Sequence, residues 1–489
     1  MNKKFVLIVF LAAVVMSFAA GFIFKDVIPT SLFQTGQDPF NEITSILDDY
    51  YYYDINDAAK LESYVSQLDA IVEAYSRYFN DPYTRIDAYP LSQSYTTDYI
   101  GMGITFYFDG LIPVVSYVYY EAPAYQKLYP GDVLMGIKGE ETTLFEDLAS
   151  TDEVLSLLRG NQFDEKTFIV RNADFMTREE TVIYDYIPIT NVEVKQFNDT
   201  FISYIRIREF TPYVDADNPG TAQAFKDAIE YLEEHGLDER GTLIIDLRDN
   251  PGGAVSALHN LNFPNYPSGI IQQLIPYDSD YPAFQMTDYE GKITTFRGGL
   301  SEPKSYDIAL LVNQYSASAS EVLAASLQQQ GYLVYGQETF GKYVYQNQYP
   351  LTQINDIEYV LVYTEGIWTY KEGVTVLEDP IDVQSIDAHP YHEIDALVYD
   401  GLMQYDDVNQ SLIPFQQFLN IYFDADIRED GYFDLETETL LREFQTEFDV
   451  AINGRLTYET FKVIYDLYNQ YTQDLLYDTQ LNALVDVLS

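Results

Sequence analysis

Two near-continuous apolar runs constrain this chain most: Leu243-Ile244-Ile245-Asp246-Leu247 and Ile308-Ala309-Leu310-Leu311-Val312. A strand that faces water on one side alternates apolar and polar residues. A run without alternation predicts a strand covered on both faces, as in a parallel sheet flanked by helices. Helical patterns lie in the right places. Thr221–His235 carries Ala224, Ala228, Ile229 and Leu232 on one face, and Ala319–Gln330 follows the second run directly. With strands at Ile202–Ile207, Val334–Tyr335 and Tyr359–Tyr363, residues 188–400 read as one α/β core.

The flanks differ. Residues 99–187 read as a compact β-rich module with strands Gly103–Phe108, Ile112–Val118, Asp132–Ile137, Thr167–Arg171 and Glu180–Tyr186. Short helices are expected in it near Ala122–Lys127 and Ser150–Leu158. Residues 26–98 form an N-terminal region with helical patterns at Phe40–Leu47 and Leu61–Tyr78, stopped by the turn chemistry of Asn80-Asp81-Pro82-Tyr83. Residues 404–466 read as a small all-α unit with a Gly-centred turn in each half, and 467–489 as a helical tail. No repeat of 20–50 residues is visible.

At the N-terminus, Lys3 and Lys4 precede Phe5–Phe24, a run of 20 residues without charge. This predicts a membrane-spanning anchor over 1–25 with the following chain outside the cytoplasm. Small residues at Ser17-Phe18-Ala19-Ala20 would also suit a cleaved, secretory signal. Cysteine is absent, so disulfides, thiolate metal sites, a cysteine nucleophile and a lipoprotein anchor are excluded. There are 27 Lys+Arg against 77 Asp+Glu, a formal net charge of −50. A nucleic-acid partner is not expected, because a phosphate backbone needs a basic face.

Three segments carry chemistry. Ser316-Ala317-Ser318-Ala319-Ser320-Glu321 lies where a buried strand gives way to a helix. There a serine can be exposed, although Ser318 and Glu321 also have capping-box spacing. Thr339-Phe340-Gly341-Lys342, with Gln346 four residues on, places one of few lysines in an apolar β region. A lysine whose pKa is lowered by burial can act as general base. Asp246-Leu247-Arg248-Asp249-Asn250-Pro251-Gly252-Gly253 ends a buried strand in two glycines, which let backbone N–H groups converge on an oxyanion.

Together, in this order and spacing, the three segments resemble the C-terminal processing peptidases, or tail-specific proteases. The resemblance implies an α/β (crotonase-like) serine peptidase core within a multidomain chain. It places the nucleophile at Ser318, the base at Lys342 and a supporting amide at Gln346. Oxyanion donors would be the N–H of Ala319 and of Gly252 or Gly253. Two departures stand out: Tyr343 replaces the second glycine of the family's GKG segment, and Tyr345-Gln346 replaces its valine–glutamine pair. The Ser318–Lys342 spacing is also about one residue short, in the Gln328–Gly336 region.

Asp81-Pro82-Tyr83-Thr84 is similar to the family's segment upstream of its PDZ domain. Tyr99-Ile100-Gly101-Met102-Gly103-Ile104 looks like the carboxylate-binding loop and first strand of a PDZ domain, and Pro130-Gly131-Asp132-Val133-Leu134 like a strand recurring in such modules. Residues 99–187 are thus identified as a PDZ domain, with Ile100, Gly101, Met102, Gly103 and Ile104 at its peptide carboxylate site. Such modules hold a peptide C-terminus by adding it as a strand. Asp430-Gly431-Tyr432-Phe433, Thr437, Phe444-Gln445, Ile452-Asn453-Gly454 and Thr457 resemble a peptidoglycan-binding helical module.

The implied partners are proteins with accessible C-termini, peptidoglycan, and a membrane through the N-terminal segment; a homodimer is compatible with this. No cofactor or metal is expected. His389 and His392 read as loop residues, and His259, six residues past Gly253, is the alternative base. The rival expectations are a catalytically inactive, wall-associated peptide-binding adaptor and a plain structural envelope protein.

Overall fold

The computed structural model describes residues 57–489 apart from 91–97, 140, 189–190, 198–200, 217, 239, 261–265, 355–356 and 372. The apolar run Phe5–Phe24 and the Phe40–Leu47 pattern lie outside the described residues. Among the described residues no helix is long and apolar enough to cross a membrane. The helix Asp57–Phe79 belongs to one compact unit, and residues 80–489 form the other.

The predicted buried strands form the centre of a 6-stranded sheet. Its strands are β1 (Val192–Gln196), β2 (Ile202–Ile207), β3 (Thr242–Asp246), β4 (Asp307–Val312), β5 (Leu333–Gly336) and β6 (Val383–Ser385), side by side in chain order. β1 is antiparallel to β2 and the others run parallel. Residues of one parity, including Ile205, Ile207, Leu243, Ile245, Leu310 and Val312, pack with α1 (Gly220–Glu234) and α2 (Ala319–Gln328).

The opposite parity, Ile202, Tyr204, Ile244, Ala309 and Leu311, packs against Leu475, Leu481 and Leu484. The last two belong to α3 (Thr479–Leu488). The helical tail expected over 467–489 ends as the second cover of this sheet. The boundary at 466/467 also falls inside a single helix, Tyr458–Gln473. Amphipathic patterning shows a helix but not the distant sheet that receives it.

A second, 5-stranded sheet lies in the same body. The long hairpin Val344–Ile354/Ile357–Thr369 dominates it, and Arg85–Pro90 pairs with the second hairpin strand. The segment after Phe79, expected within the N-terminal helical region, is thus part of the core.

The β-rich module orders its strands Ile104–Asp109, Ile112–Val118, Val133–Lys138, Glu165–Arg171 and Thr177–Ile183, with Asp98–Gly101 paired separately to Asp185–Pro188. Its helix Thr151–Leu158 is capped by the Ser150 hydroxyl, which accepts from the Glu153 N–H. The expected helix at Ala122–Lys127 is a series of turns instead, with Glu121 and Gln126 at positive φ and Pro123 between them. In the all-α unit, helices Ile413–Phe423 and Leu435–Glu447 each carry a buried glutamine. The Gln416 Oε1 accepts from the Gly431 N–H and the Gln445 Oε1 from the Gly454 N–H, which fixes both glycine turns.

Candidate active site

The turn after β4 presents three serines, and burial separates them. Ser316 and Ser320 are fully buried, and their hydroxyls donate to backbone carbonyls: Ser316 to Leu247 at 2.7 Å and Ser320 to Asn250 at 2.9 Å. Both are braces between the β4 turn and the β3 turn. Ser318 is half-buried and sits at φ 56°, ψ −114°. A serine held at such a backbone angle is strained, and strain of this kind persists only where surrounding contacts over-determine it.

Those contacts are visible. The Ala317 N–H donates to the Asn250 carbonyl at 3.0 Å. A Cβ on Gly252, at φ 108°, would lie 2.8 Å from the Ala317 oxygen and 2.9 Å from the Ser318 Cβ. Only glycine lets the two turns approach this closely. Asn250 is itself fully buried; its amide donates to the Ile207 carbonyl at 2.8 Å and its Oδ1 accepts from the Gly252 N–H at 2.9 Å. That N–H is thus already engaged. Gly253 follows at φ 127°, bridged to Phe210.

Glu321 joins the Ser318 turn and the Lys342 turn. It is fully buried on the first turn of α2. Its Oε2 accepts from the Ser318 N–H at 2.8 Å and from the Lys342 N–H at 2.9 Å. Its Oε1 accepts from the Gly341 N–H at 2.6 Å and the Thr339 hydroxyl at 2.8 Å. The Phe340 N–H adds a bond to the Ser316 carbonyl at 3.1 Å. Ser318 and Lys342, distant in sequence, are therefore fixed on one carboxylate. Burial pushes the Glu321 carboxyl above its usual range, and its four donors oppose that shift.

Lys342 is partly buried. Its backbone carbonyl accepts from the indole N–H of Trp368, the chain's sole tryptophan, at 2.8 Å. Its ammonium lies 4.7 Å from the centre of the Tyr83 ring. Burial lowers the pKa of Lys342 and the charge of Arg85 adds to this, while Glu321 and Asp81 act the other way. Tyr343, the residue in place of glycine, packs against the main hydrophobic cluster of the core.

Gln346 lies at a β-bulge of the hairpin, and its amide makes a long contact of 3.5 Å to the Thr364 hydroxyl. Thr364 donates in turn to Asp81 at 3.0 Å, and the Thr84 hydroxyl donates to the same carboxylate at 2.6 Å. The Asp81–Thr84 segment thus lines the lysine side of the site.

His259 packs its ring edge-on against Phe296, with centroids 5.3 Å apart, and burial lowers its pKa. The rings of His389 and His392 contact the carbonyls of Tyr477 and Thr472. Among the described residues there is no group of three or more His, Cys, Asp or Glu able to hold a metal ion.

In the β-rich module, Met102 is buried, and Ile100 and Ile104 pack against the module's core. Gly101 pairs with Asp185, and Gly103 sits at φ 74° where a Cβ would lie 2.2 Å from the Cβ of Ala122. The following strand, Ile104–Asp109, stands at the edge of its sheet.

Residues 201–381, which include the segments Asp246–Gly253, Ser316–Glu321 and Thr339–Gln346, match the model of peptidase family S41. The chain carries a peptidase family S41 domain. Residues 409–464 match a peptidoglycan binding domain. The chain is similar to the "Carboxy-terminal processing protease CtpB" of Bacillus subtilis, 25% identical over 437 residues, 86% of this chain and 84% of that protein. A second is the "Probable CtpA-like serine protease" of Staphylococcus aureus, 24% identical over 472 residues, 94% and 87% of the two chains. Among solved structures, the photosystem II D1 C-terminal processing protease aligns with a TM-score of 0.36 at 21% identity, covering 72% of this chain and 87% of that one.

Glu321 went unrecognised in the sequence except as a helix cap. Its Ser-x-x-Glu spacing was the only signal, and the reach to Gly341 and Lys342 belongs to the tertiary structure. Trp368 gave no signal of its own, and Tyr83 stood out only as part of the Asp81–Thr84 segment.

Proposed function

We propose that this chain is a serine endopeptidase of the C-terminal processing type, acting through Ser318 and Lys342. The observation that carries the reading is the single buried carboxylate of Glu321, which binds the N–H groups of both residues while Ser318 is held strained and accessible. Neutral Lys342 takes the Ser318 hydroxyl proton as the oxygen attacks a peptide carbonyl. The oxyanion is held by the N–H of Ala319 and that of Gly253, since Gly252 donates to Asn250. Collapse breaks the C–N bond, the lysine ammonium protonates the leaving amine, and water then hydrolyses the acyl-enzyme. Gln346 supports the site through Thr364, which donates to Asp81, a carboxylate whose charge acts on Lys342.

The substrates are proteins outside the cytoplasm, recognised by their C-terminal tails. Support comes from the PDZ-like order of strands, from the positive φ of Gly103, and from the edge strand Ile104–Asp109, which offers a free side for a peptide strand. The 409–464 domain holds the enzyme on peptidoglycan, and the segment 1–25 anchors it in the membrane. The test is peptide cleavage by purified protein and by Ser318→Ala and Lys342→Ala variants that keep the parent's circular dichroism. Loss of cleavage in both is expected; cleavage by Lys342→Ala at neutral pH would overturn the assignment.

A further inference from the structure

Arg248 is 1% exposed, four residues before Gly252, in the middle of the turn that braces Ser318. Its guanidinium does not face that site. It points to the opposite face of the sheet, where the C-terminal segment folds back. There Nε donates to Asp246 at 3.0 Å, and Nη2 donates to Asp246 at 2.6 Å and to Asp478 at 2.5 Å. Nη1 donates to Asp478 at 3.2 Å and Gln480 at 3.1 Å. All the guanidinium's donors are thereby used. Tyr204 donates to Asp246 at 2.8 Å, and the Gln480 amide donates to the Ile386 carbonyl at 3.1 Å.

We infer that Asp478 is a positioning residue for the catalytic turn, acting through Arg248. The residues on either side of Arg248 make this specific. The Leu247 carbonyl receives the Ser316 hydroxyl, and the Asn250 carbonyl receives both the Ser320 hydroxyl and the Ala317 N–H. The backbone of 247–250 is thus the platform on which the nucleophile turn rests, and Arg248 is its anchor. Half of that anchor is supplied by a residue 230 positions further along the chain. Asp478 lies five residues after the helix Tyr458–Gln473, which closes the peptidoglycan-binding-like unit, so this unit is spliced between two segments that the sheet holds. The inference rests on the Ser318-centred peptidase reading for its activity arm only.

Asp478 does two separable jobs: Oδ1 also accepts from the Leu481 N–H and caps α3. Asparagine keeps the cap and loses the charge. The experiment uses the full-length chain with Asp478→Asn, and with Leu484→Ala as a variant that weakens the same segment without touching Arg248. Asp478→Asn should lower kcat on a short soluble peptide by about tenfold to a hundredfold with KM within about twofold, the pattern of a displaced catalytic turn. Amide hydrogen exchange over 246–253 and 316–321 should quicken in parallel. Leu484→Ala should lower Tm and leave kcat unchanged. If both variants lose Tm alike and keep the parent's kcat and exchange, Asp478 is a fold staple and the inference is wrong. Should Asp478→Asn fail to fold, Gln480→Leu, which removes one Arg248 bond and keeps both carboxylates, must lower kcat; an unchanged kcat refutes it. Activity indifferent to Ser318→Ala would instead refute the peptidase reading, and the exchange at 246–253 would still decide the role of Asp478.

Discussion

Glu321→Gln changes one heavy atom of the group that fixes Ser318 and Lys342 together. Each carboxylate oxygen serves two donors: Thr339 and Gly341 on one, Ser318 and Lys342 on the other. The amide NH2 fits best on the Thr339 side, because a hydroxyl can rotate to accept whereas an N–H cannot. That leaves the half-buried Gly341 N–H without its partner, at a cost of up to about 1–3 kcal/mol. If the whole of that cost appears as displacement of the lysine turn, kcat falls by roughly 5- to 150-fold, at about 1.4 kcal/mol per factor of ten. KM for a short peptide should barely move. The substitution also removes a negative charge that raises the pKa of Lys342. The base must be neutral to act, so the acid limb of the kcat–pH profile should shift to lower pH. Steady-state kinetics across pH on folded variant and parent read both effects. A variant with the parent's kcat and Tm would refute the carboxylate staple. A lowered kcat with an acid limb moved to higher pH would refute the electrostatic part alone.

Arg85→Gln should move the same acid limb to higher pH, because the Arg85 charge helps burial hold Lys342 down; a shift the other way contradicts the geometry. Gly252→Ala places a Cβ within 2.9 Å of the Ser318 Cβ at a φ of 108°, so cleavage should fall about a hundredfold or more while cooperative unfolding persists; near-parental cleavage would show the two turns are not in close contact. Burial pushes Asp246 up, but the charge and hydrogen bonds of Arg248 and the charge of Arg206 outweigh it and hold it at about 2. Its stabilisation is therefore complete above the ordinary Asp range of about 4 and is lost as pH falls from there towards 2. Tm measured against pH should decline over that window, and more shallowly in Asp246→Asn.

The parts of the site that reside on one short segment were legible. The apolar runs predicted β3 and β4, the Gly252-Gly253 pair predicted a tight turn, and Ser318 was singled out by resemblance. What separates Ser318 from Ser316 and Ser320 is tertiary: two hydroxyls find carbonyls on a turn some 70 residues earlier in the chain and one does not. The runs also required a cover on both faces of the sheet. Periodicity could give one cover in Thr221–His235, but nothing local assigned Leu481 and Leu484 to the other. Ala122–Lys127 failed for the opposite reason, as local propensity yielded to a chain that must reverse and pack Ala122 against Gly103.

The charge of −50 raises a last question, how the pKa of Lys342 can be lowered in so acidic a chain. Distant surface carboxylates are screened over about 10 Å in ordinary salt, so only near groups count. Near Lys342 the acids are Glu321 and Asp81, and both are tied up: Glu321 accepts from backbone N–H groups and the Thr339 hydroxyl, and Asp81 from the Tyr83 N–H, Thr84 and Thr364. These donors draw the carboxylates into hydrogen-bonded networks with the turns, while Arg85 supplies a positive charge. Burial then acts on the ammonium with limited opposition, and its pKa falls. The hydrogen bonds that set the position of the lysine turn leave the charges of Glu321 and Asp81 in place, and these oppose the lowering that burial and Arg85 produce. Glu321 and Arg85 act on Lys342 with opposite charges, which is why their substitutions are expected to move the acid limb in opposite directions.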